Sequence, residues 1–328
     1  MKYTAEFITP MHPDKICDRI SDAVLDFCLS QDPDSRVAVE TMGGHGKLYI
    51  LGEVTTKAKL KNKEINKICK RIAGQKATNI KIVRQSPRIA NGVNIGGAGD
   101  QGIMIGYATR DNEEFIPQEA YLAKSLAKHI YKKYPYDGKT QITLNDKGEV
   151  EAIVASFQNV PFLDLRDEVK SWAEKNIQLK EKRSEDNTRV FINPAGDWEI
   201  GGFEADTGLT GRKLAVDNYG PGVQIGGGAF SGKDPSKVDR SGAYMARRIA
   251  VDYLKNKPRA KEVLVRLAYA IGIDKPVMAT VEIDGKEENI EGYDLSPNGI
   301  IKHLELKTPM YEKTAEWGHF GNKFNWDK

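Results

Sequence analysis

Apolar residues recur at helical spacing three times along the chain, each time ahead of two strand-like runs. Ile16, Ile20, Val24 and Phe27 form one stripe of a helix that begins near His12. Strands follow at 36–42 and 48–56, then a helix at 61–73 and a strand at 79–85. The second cycle opens with a helix at 118–134, where Leu122, Leu126 and Ile130 share a face. Strands at 141–144 and 150–158, a helix near 163–176 and a strand at 189–192 complete it. A third helix runs from about Asp239 to Leu254, before strands at 263–271 and 277–283 and a helix near 299–306.

Helix, two strands, helix, strand thus occurs twice in full and a third time without its last strand. Starts near 12, 117 and 239 give a unit of about a hundred residues, an ordinary domain size. The pattern predicts an α/β (α+β) fold of three similar units related by an internal pseudo-threefold repeat, each with helices on one face of a mixed sheet. The expected divisions are 1–95, 96–201 and 202–328, with room for spatially discontinuous units. Alternation in Val263-Leu264-Val265-Arg266-Leu267 leaves an apolar set predicted to face a second subunit. No GxGxxG follows a strand and opens a helix with a distal acid, so a Rossmann site is not expected.

Composition narrows the class only slightly. With 40% apolar and 29% charged residues in 328, the chain has an ordinary soluble make-up, and a net charge of +3 does not argue for nucleic acid. Ten basic residues and the single acid Glu64 lie between Lys57 and Arg84, at helical spacing that fits a solvated face better than a polyanion patch. Cys17, Cys28 and Cys69 form no CxxC pair, and an odd number of separated thiols fits a reducing compartment. No apolar run approaches the roughly 18 residues of a membrane span, and the amino terminus lacks a secretory h-region. The expectation is a cytoplasmic protein without membrane or nucleic-acid partners.

The chemistry is concentrated in glycine-rich segments. Gly226 through Arg240 reads GGGAFSGKDPSKVDR, in which Lys233 and Lys237 supply cations, and Asp234 and Asp239 supply hard oxygen donors, just before a helix. Such a set suits a polyphosphate with its Mg²⁺. Gly227 to Lys233 fits a P-loop up to the lysine, but Asp234 stands where that motif needs a hydroxyl for Mg²⁺, so a triphosphate site of another design is expected. His12-Pro13-Asp14-Lys15 opens the first helix, where an anion would meet free N–H groups, His12 and Lys15 while Asp14 held a bridging cation. Gly96-Gly97-Ala98-Gly99-Asp100-Gln101-Gly102 and Asp206-Thr207-Gly208-Leu209-Thr210-Gly211-Arg212-Lys213 add two more flexible, charged segments. In the second, Arg212 can grip phosphate oxygens bidentately. Glu40 and Glu53 stand at matching ends of a hairpin, either facing one pocket or solvated. No zinc spacing, GxSxG elbow or serine–histidine pair is present, which points away from acyl transfer and redox chemistry.

Together with Phe191-Ile192-Asn193-Pro194, Tyr269-Ala270-Ile271-Gly272 and Gly318-His319-Phe320-Gly321, these segments in this order closely resemble the S-adenosylmethionine synthetase (methionine adenosyltransferase) family of the bacterial and eukaryotic type. The resemblance spans nearly the whole chain. It implies three similar α/β domains, assembly as a homodimer or homotetramer, and active sites between two subunits. The implied reaction joins ATP and L-methionine: sulfur attacks the ribose C5′, and the expelled tripolyphosphate is cleaved to phosphate and diphosphate. Two Mg²⁺ per site and K⁺ are the implied cofactors.

Carried across residue by residue, the resemblance puts His12 at the ribose–triphosphate junction and Lys139, Arg212, Lys213, Lys233 and Lys237 on phosphates. Asp14 and Asp239 would each hold a Mg²⁺, and Glu40 would line the K⁺ site. Glu53, Gln85, Asp100 and Lys237 would position methionine, Asp137 and Asp206 the nucleoside or its polar neighbours, and Trp198 the adenine. The chain departs from the family at Thr9-Pro10-Met11, in a shorter stretch before Gln85, in a shorter loop at about 86–96 bearing Arg88, at Ile225 beside the triglycine, and in a tail ending soon after Trp326. Two rival functions are another ATP- and Mg²⁺-dependent phosphotransferase, which would leave ADP, and a catalytically weak homologue acting as a binding protein.

Overall fold

The computed structural model describes residues 3–85, 97–177 and 188–328. Strands β1 (Tyr3–Ile8), β2 (Arg36–Gly44), β3 (Lys47–Thr55), β4 (Asn79–Val83), β5 (Gly102–Thr109) and β6 (Gly138–Leu144) are followed by β7 (Val150–Phe157), β8 (Arg189–Ile192), β9 (Gly208–Leu209), β10 (Glu262–Tyr269), β11 (Met278–Ile283) and β12 (Lys286–Asn289). They make three four-stranded sheets, ordered β4-β3-β2-β9, β1-β6-β7-β8 and β12-β11-β10-β5. Pairs β3–β4 and β7–β8 are parallel and the others antiparallel, so the first two sheets are mixed and the third is antiparallel. Each sheet takes one edge strand from another third of the chain: β1 joins the central sheet, β5 the C-terminal one and β9 the N-terminal one.

The helices are α1 (Pro13–Leu29), α2 (Asn62–Ala73), α3 (Gln118–Lys133), α4 (Phe162–Asn176), α5 (Leu214–Asp217), α6 (Val238–Asn256), α7 (Pro297–His303) and α8 (Tyr311–Thr314). Helix α1 starts where His12 stays extended (φ −61°, ψ 139°) and Pro13 presets the first helical φ. It lies on the N-terminal sheet, α3 and α4 on the central one, and α6 on the C-terminal one. Helix α6 meets β5 so closely that a Cβ on Gly106 would stand 2.0 Å from the carbonyl carbon of Ala246, so no larger residue fits there. One core runs from Ile16, Ile20 and Val24 of α1 to Met245 and Ile249 of α6, joining two sheets, while Phe7, Leu126, Ile142 and Trp172 close a separate core under the central sheet.

Two outcomes differ from the expectations. Val263, Val265 and Leu267 are buried in the core that α6 shares, so they are not free to meet a partner; the outward set on β10 is Glu262, Leu264, Arg266 and Ala268, with Arg266 paired to Glu282 at 2.9 Å. An uncovered apolar face lies on the N-terminal sheet, where Met42, Tyr49, Leu51, Val83 and Leu209 are exposed. Also, β12 closes the third sheet as a hairpin strand ahead of α7, replacing the helix-then-strand order of the other units. The basic run of 57–84 includes α2, whose Ile65, Ile68 and Ile72 are buried while Arg71 forks onto Glu312 at 2.7 Å. Among the described residues, no helix is long and apolar enough to cross a membrane.

Candidate active site

The amino-terminal end of α1 gathers the first group. His12 is 5% exposed, and its Nδ1 accepts the Asp14 N–H at 3.2 Å, which leaves the ring proton to Nε2. Asp14 accepts Leu209 N–H at 2.9 Å and the Lys213 ammonium at 2.6 Å, with Arg212 Nε at 3.5 Å. Burial pushes the Asp14 carboxyl up, but Lys213 and the Leu209 amide more than offset it and leave it below the usual range. Lys139, on β6 opposite Ile8, adds a second cation whose charge reaches His12. Asp137 accepts Gly202 N–H at 2.9 Å and is raised by burial; Asp206 bears electrostatically on both Asp137 and His12.

His12 therefore carries no charge at neutral pH in the ligand-free protein. Burial, then Lys213 and Lys139, lower it from 6.5 to about 3. A depressed histidine favours folding above its unfolded value, and that contribution is lost as pH falls from 6.5 towards the folded value of about 3. We expect ring-nitrogen NMR at about pH 5.5, below the free-histidine midpoint, to report a neutral His12, assigned with a His12→Asn spectrum. A protonated ring there contradicts this electrostatic picture.

The second group lies further along the same sheet edge. Gly232 to Asp234 runs antiparallel to β2, with Val39 N–H to Gly232 O and Asp234 N–H to Val37 O both at 3.0 Å and Lys233 opposite Ala38. Lys233 Nζ meets Asp239 Oδ2 at 2.6 Å. Asp239 lies against the glycine segments: a Cβ on Gly228 would stand 2.2 Å from its side chain, and one on Gly102 would be 3.4 Å away. Leu209, whose N–H Asp14 holds, is opposite Met42, and Lys233 is opposite Ala38, so the two segments meet β2 four residues apart, about 13 Å.

Strand parity puts Lys233, Ala38, Glu40 and Glu53 on the uncovered side of the N-terminal sheet, with Glu53 and Lys233 flanking Ala38 from opposite sides. Glu40 is opposite Leu51, so the two glutamates are diagonal neighbours and both are exposed. Gln85 follows β4 and donates its N–H to Thr55 Oγ1 at 3.3 Å. Asp100 is exposed, two residues before the Gly102 that approaches Asp239, and caps Gln101 N–H at 2.8 Å. Trp198 is half-buried, its ring against Gly201, next to the Gly202 that Asp137 holds. None of Glu40, Glu53, Gln85 or Asp100 shares a hydrogen bond or ion pair with His12 or Lys139 among the described residues. The loop at 86–96, with Arg88, lies outside the described residues.

Several assignments change. Lys15 is 1% exposed and bound to Asp217 at 2.6 Å and Asp18 at 3.2 Å, so it cannot meet an anion at the helix mouth. Asp234 is not a metal donor: at 1% exposure it accepts Val37 N–H at 2.7 Å, Ser236 N–H at 2.9 Å and the Lys237 ammonium, pinning the loop to β2. His319, in the glycine-flanked motif near the carboxyl terminus, is buried in the core with Nδ1 2.7 Å from Tyr244 Oη. The sequence reading passed over Asp18 and Asp22, although acids at four-residue intervals in an apolar helix were a signal.

Among the described residues no cluster of three His, Cys, Asp or Glu side chains could hold a metal by itself. Asp14 and Asp239 each present one carboxylate at an ammonium-lined place. Mg²⁺ characteristically binds one or two carboxylates and completes its shell with water and substrate phosphates, so the donor set fits a metal that arrives with triphosphate.

The N-terminal, central and C-terminal domain families of S-adenosylmethionine synthetase match residues 1–94, 95–198 and 200–328 in turn. The chain is 41% identical to the S-adenosylmethionine synthase of Brachyspira hyodysenteriae over 377 aligned positions, covering 99% of this chain and 95% of the relative. It is 40% identical to that of Treponema denticola (99% and 95%) and 41% identical to that of Desulforudis audaxviator (97% and 93%). The 377 aligned positions exceed the 328 residues present, so this chain carries gaps against a longer relative. The chain belongs to the S-adenosylmethionine synthetase family.

Proposed function

We propose that this protein is a methionine adenosyltransferase that forms S-adenosylmethionine from ATP and L-methionine and then cleaves the released tripolyphosphate to phosphate and diphosphate. The observation that carries this reading is the pair of cation–carboxylate couples, Lys213–Asp14 and Lys233–Asp239, each set on a glycine-rich segment that pairs with β2. A thioether is a neutral, weak nucleophile, so the barrier falls mainly by aligning sulfur with C5′ and stabilising a highly charged leaving group. Lys139, Arg212, Lys213, Lys233 and Lys237 supply that stabilisation, Lys213 and Lys233 as their carboxylate partners Asp14 and Asp239 give way to phosphate. Neutral His12, with its proton on Nε2, donates to the bridging oxygen as charge develops there. Asp14 and Asp239 hold Mg²⁺, which neutralises phosphate charge when bound.

Methionine is positioned by Glu53, Gln85, Asp100 and Lys237, the nucleoside by Asp137 and Asp206, and adenine stacks on Trp198. Glu40 lines a K⁺ site. A homodimer brings these groups together. Support comes from the uncovered face of the N-terminal sheet, where Met42, Tyr49, Leu51, Val83 and Leu209 are exposed beside Glu40, Glu53 and Lys233. A cytoplasmic location is supported by three free, buried cysteines.

Product analysis separates this reading from a phosphotransferase. Purified protein with ATP, methionine, Mg²⁺ and K⁺ should yield the sulfonium product, phosphate and diphosphate in equal amounts. ADP without sulfonium would sink the reading.

A further inference from the structure

Helix α1 carries aspartates at 14, 18, 22 and 26, each four residues after the last, and every one accepts backbone N–H groups from a distant segment. Asp14 takes Leu209 at 2.9 Å, Asp18 takes Gly211 at 2.8 Å, and Asp22 takes Gly232 at 2.8 Å. Asp26 takes Met310, Tyr311 and Glu312, each at 2.9 Å. Carboxylates at this spacing repel along a helix, and burying them unpartnered costs more. The stripe holds because every member finds donors elsewhere in the fold.

We propose that Asp18 and Asp22 are positioning residues: from one rigid helix they set the backbones of the two loops that carry the phosphate-binding cations. The inference rests on the adenosyl-transfer reading and says how its cations keep their spacing. Each loop is held on both sides of its lysine. Around Lys233, Asp22 takes the Gly232 N–H while Arg240, forked onto Asp22 at 2.6 and 2.8 Å, donates to Lys233 O at 3.1 Å. Around Arg212 and Lys213, Asp18 takes the Gly211 N–H, and Lys15 bridges Asp18 to Asp217, which ends α5. Asp18, Asp22, Lys15 and Arg240 are at most 1% exposed, so none of them touches substrate. Glycine-rich segments carry little conformational preference of their own, and an error of about 1 Å in placing a charge can cost about a hundredfold in rate.

Asp18→Asn, Asp22→Asn and Asp26→Asn separate positioning from stability: each keeps an oxygen for its N–H partners, but at 18 and 22 the charge that anchors Lys15 and Arg240 behind the loops is lost. All three should lower the Tm. Only the first two should reduce kcat for sulfonium formation, by about 10- to 100-fold, and weaken Mg²⁺-tripolyphosphate binding in calorimetry by a similar factor. Asp26→Asn should leave both within about twofold, because residues 310–312 bear no group of the site. Should Asp22→Asn not accumulate folded because Arg240 is stranded, Asp22→Asn with Arg240→Gln removes both charges and carries the same readouts. Wild-type kcat and affinity in the Asp18 and Asp22 variants would overturn the proposal. A wild type that forms no sulfonium, alongside Asp18 and Asp22 variants that still lose tripolyphosphate affinity, would overturn the adenosyl-transfer reading and uphold the positioning one.

Discussion

Lys233→Ala is expected to lower kcat for adenosyl transfer about a thousandfold, the upper end of what removing one preorganised charge stabiliser costs. The backbone at 233 is held independently of the side chain, by the Gly232 and Asp234 pairing to β2 and by Arg240 on the carbonyl. Alanine therefore keeps the strand and removes only the ammonium. Two effects then add. The departing triphosphate loses one counter-charge, worth about 4 kcal/mol if the full factor is seen, and Asp239 loses the ammonium 2.6 Å away that holds it in place. The KM for methionine should move much less than kcat. A kcat within a few-fold of wild type, with an unchanged Tm, removes Lys233 from the phosphate site.

Asp14→Asn should produce the second-largest loss, with a different signature. Asparagine has the same shape and keeps an oxygen for the Leu209 N–H, so the turn into α1 survives. What disappears is the charge that pairs with Lys213 at 2.6 Å and the anionic oxygen a divalent cation needs. We expect kcat to fall about a hundredfold and the Mg²⁺ concentration giving half-maximal rate to rise at least about tenfold. Lys213→Ala removes the same ion pair but not the metal ligand, so it should lower the rate without moving the Mg²⁺ dependence in that way. An unchanged Mg²⁺ requirement in Asp14→Asn would take Asp14 out of the metal site.

Much of the architecture was legible because strand alternation and helical stripes are local signals. Ile16, Ile20 and Val24 mark α1, Leu122, Leu126 and Ile130 mark α3, and the strands flanking them fall within a few residues of their expected places. The exchange of edge strands was not legible. Strand β9 is two residues long and carries no pattern that exists before tertiary pairing; β12, which is not exchanged, escaped notice likewise because it reads Lys-Glu-Glu-Asn with no apolar alternation. The apolar set on β10 was assigned to a partner subunit for a related reason: alternation says that one face is apolar but not which neighbour covers it, and α6 covers this one.

Motif chemistry was legible by residue type and misplaced by burial. Asp234 and Asp239 look equivalent in a string of charges. Only the fold shows that the first is sealed by backbone donors while the second faces Lys233 beside Gly228. Lys15 shared the fate of Asp234, since its partner Asp217 is two hundred and two residues away. His12, Lys139 and Lys213 come from three separated segments, so spacing alone could not group them; the family resemblance did, and the fold brings both lysines electrostatically onto His12.

The account stands on two resting ion pairs giving way to the phosphates of one nucleotide. A crystal structure with a non-hydrolysable imido analogue of ATP and Mg²⁺ measures this directly. It should show phosphate oxygens on Lys213 and Lys233, with Asp14 and Asp239 released from them and turned to metal. A well-occupied nucleotide elsewhere, with the Lys213–Asp14 and Lys233–Asp239 contacts both still closed, would contradict it.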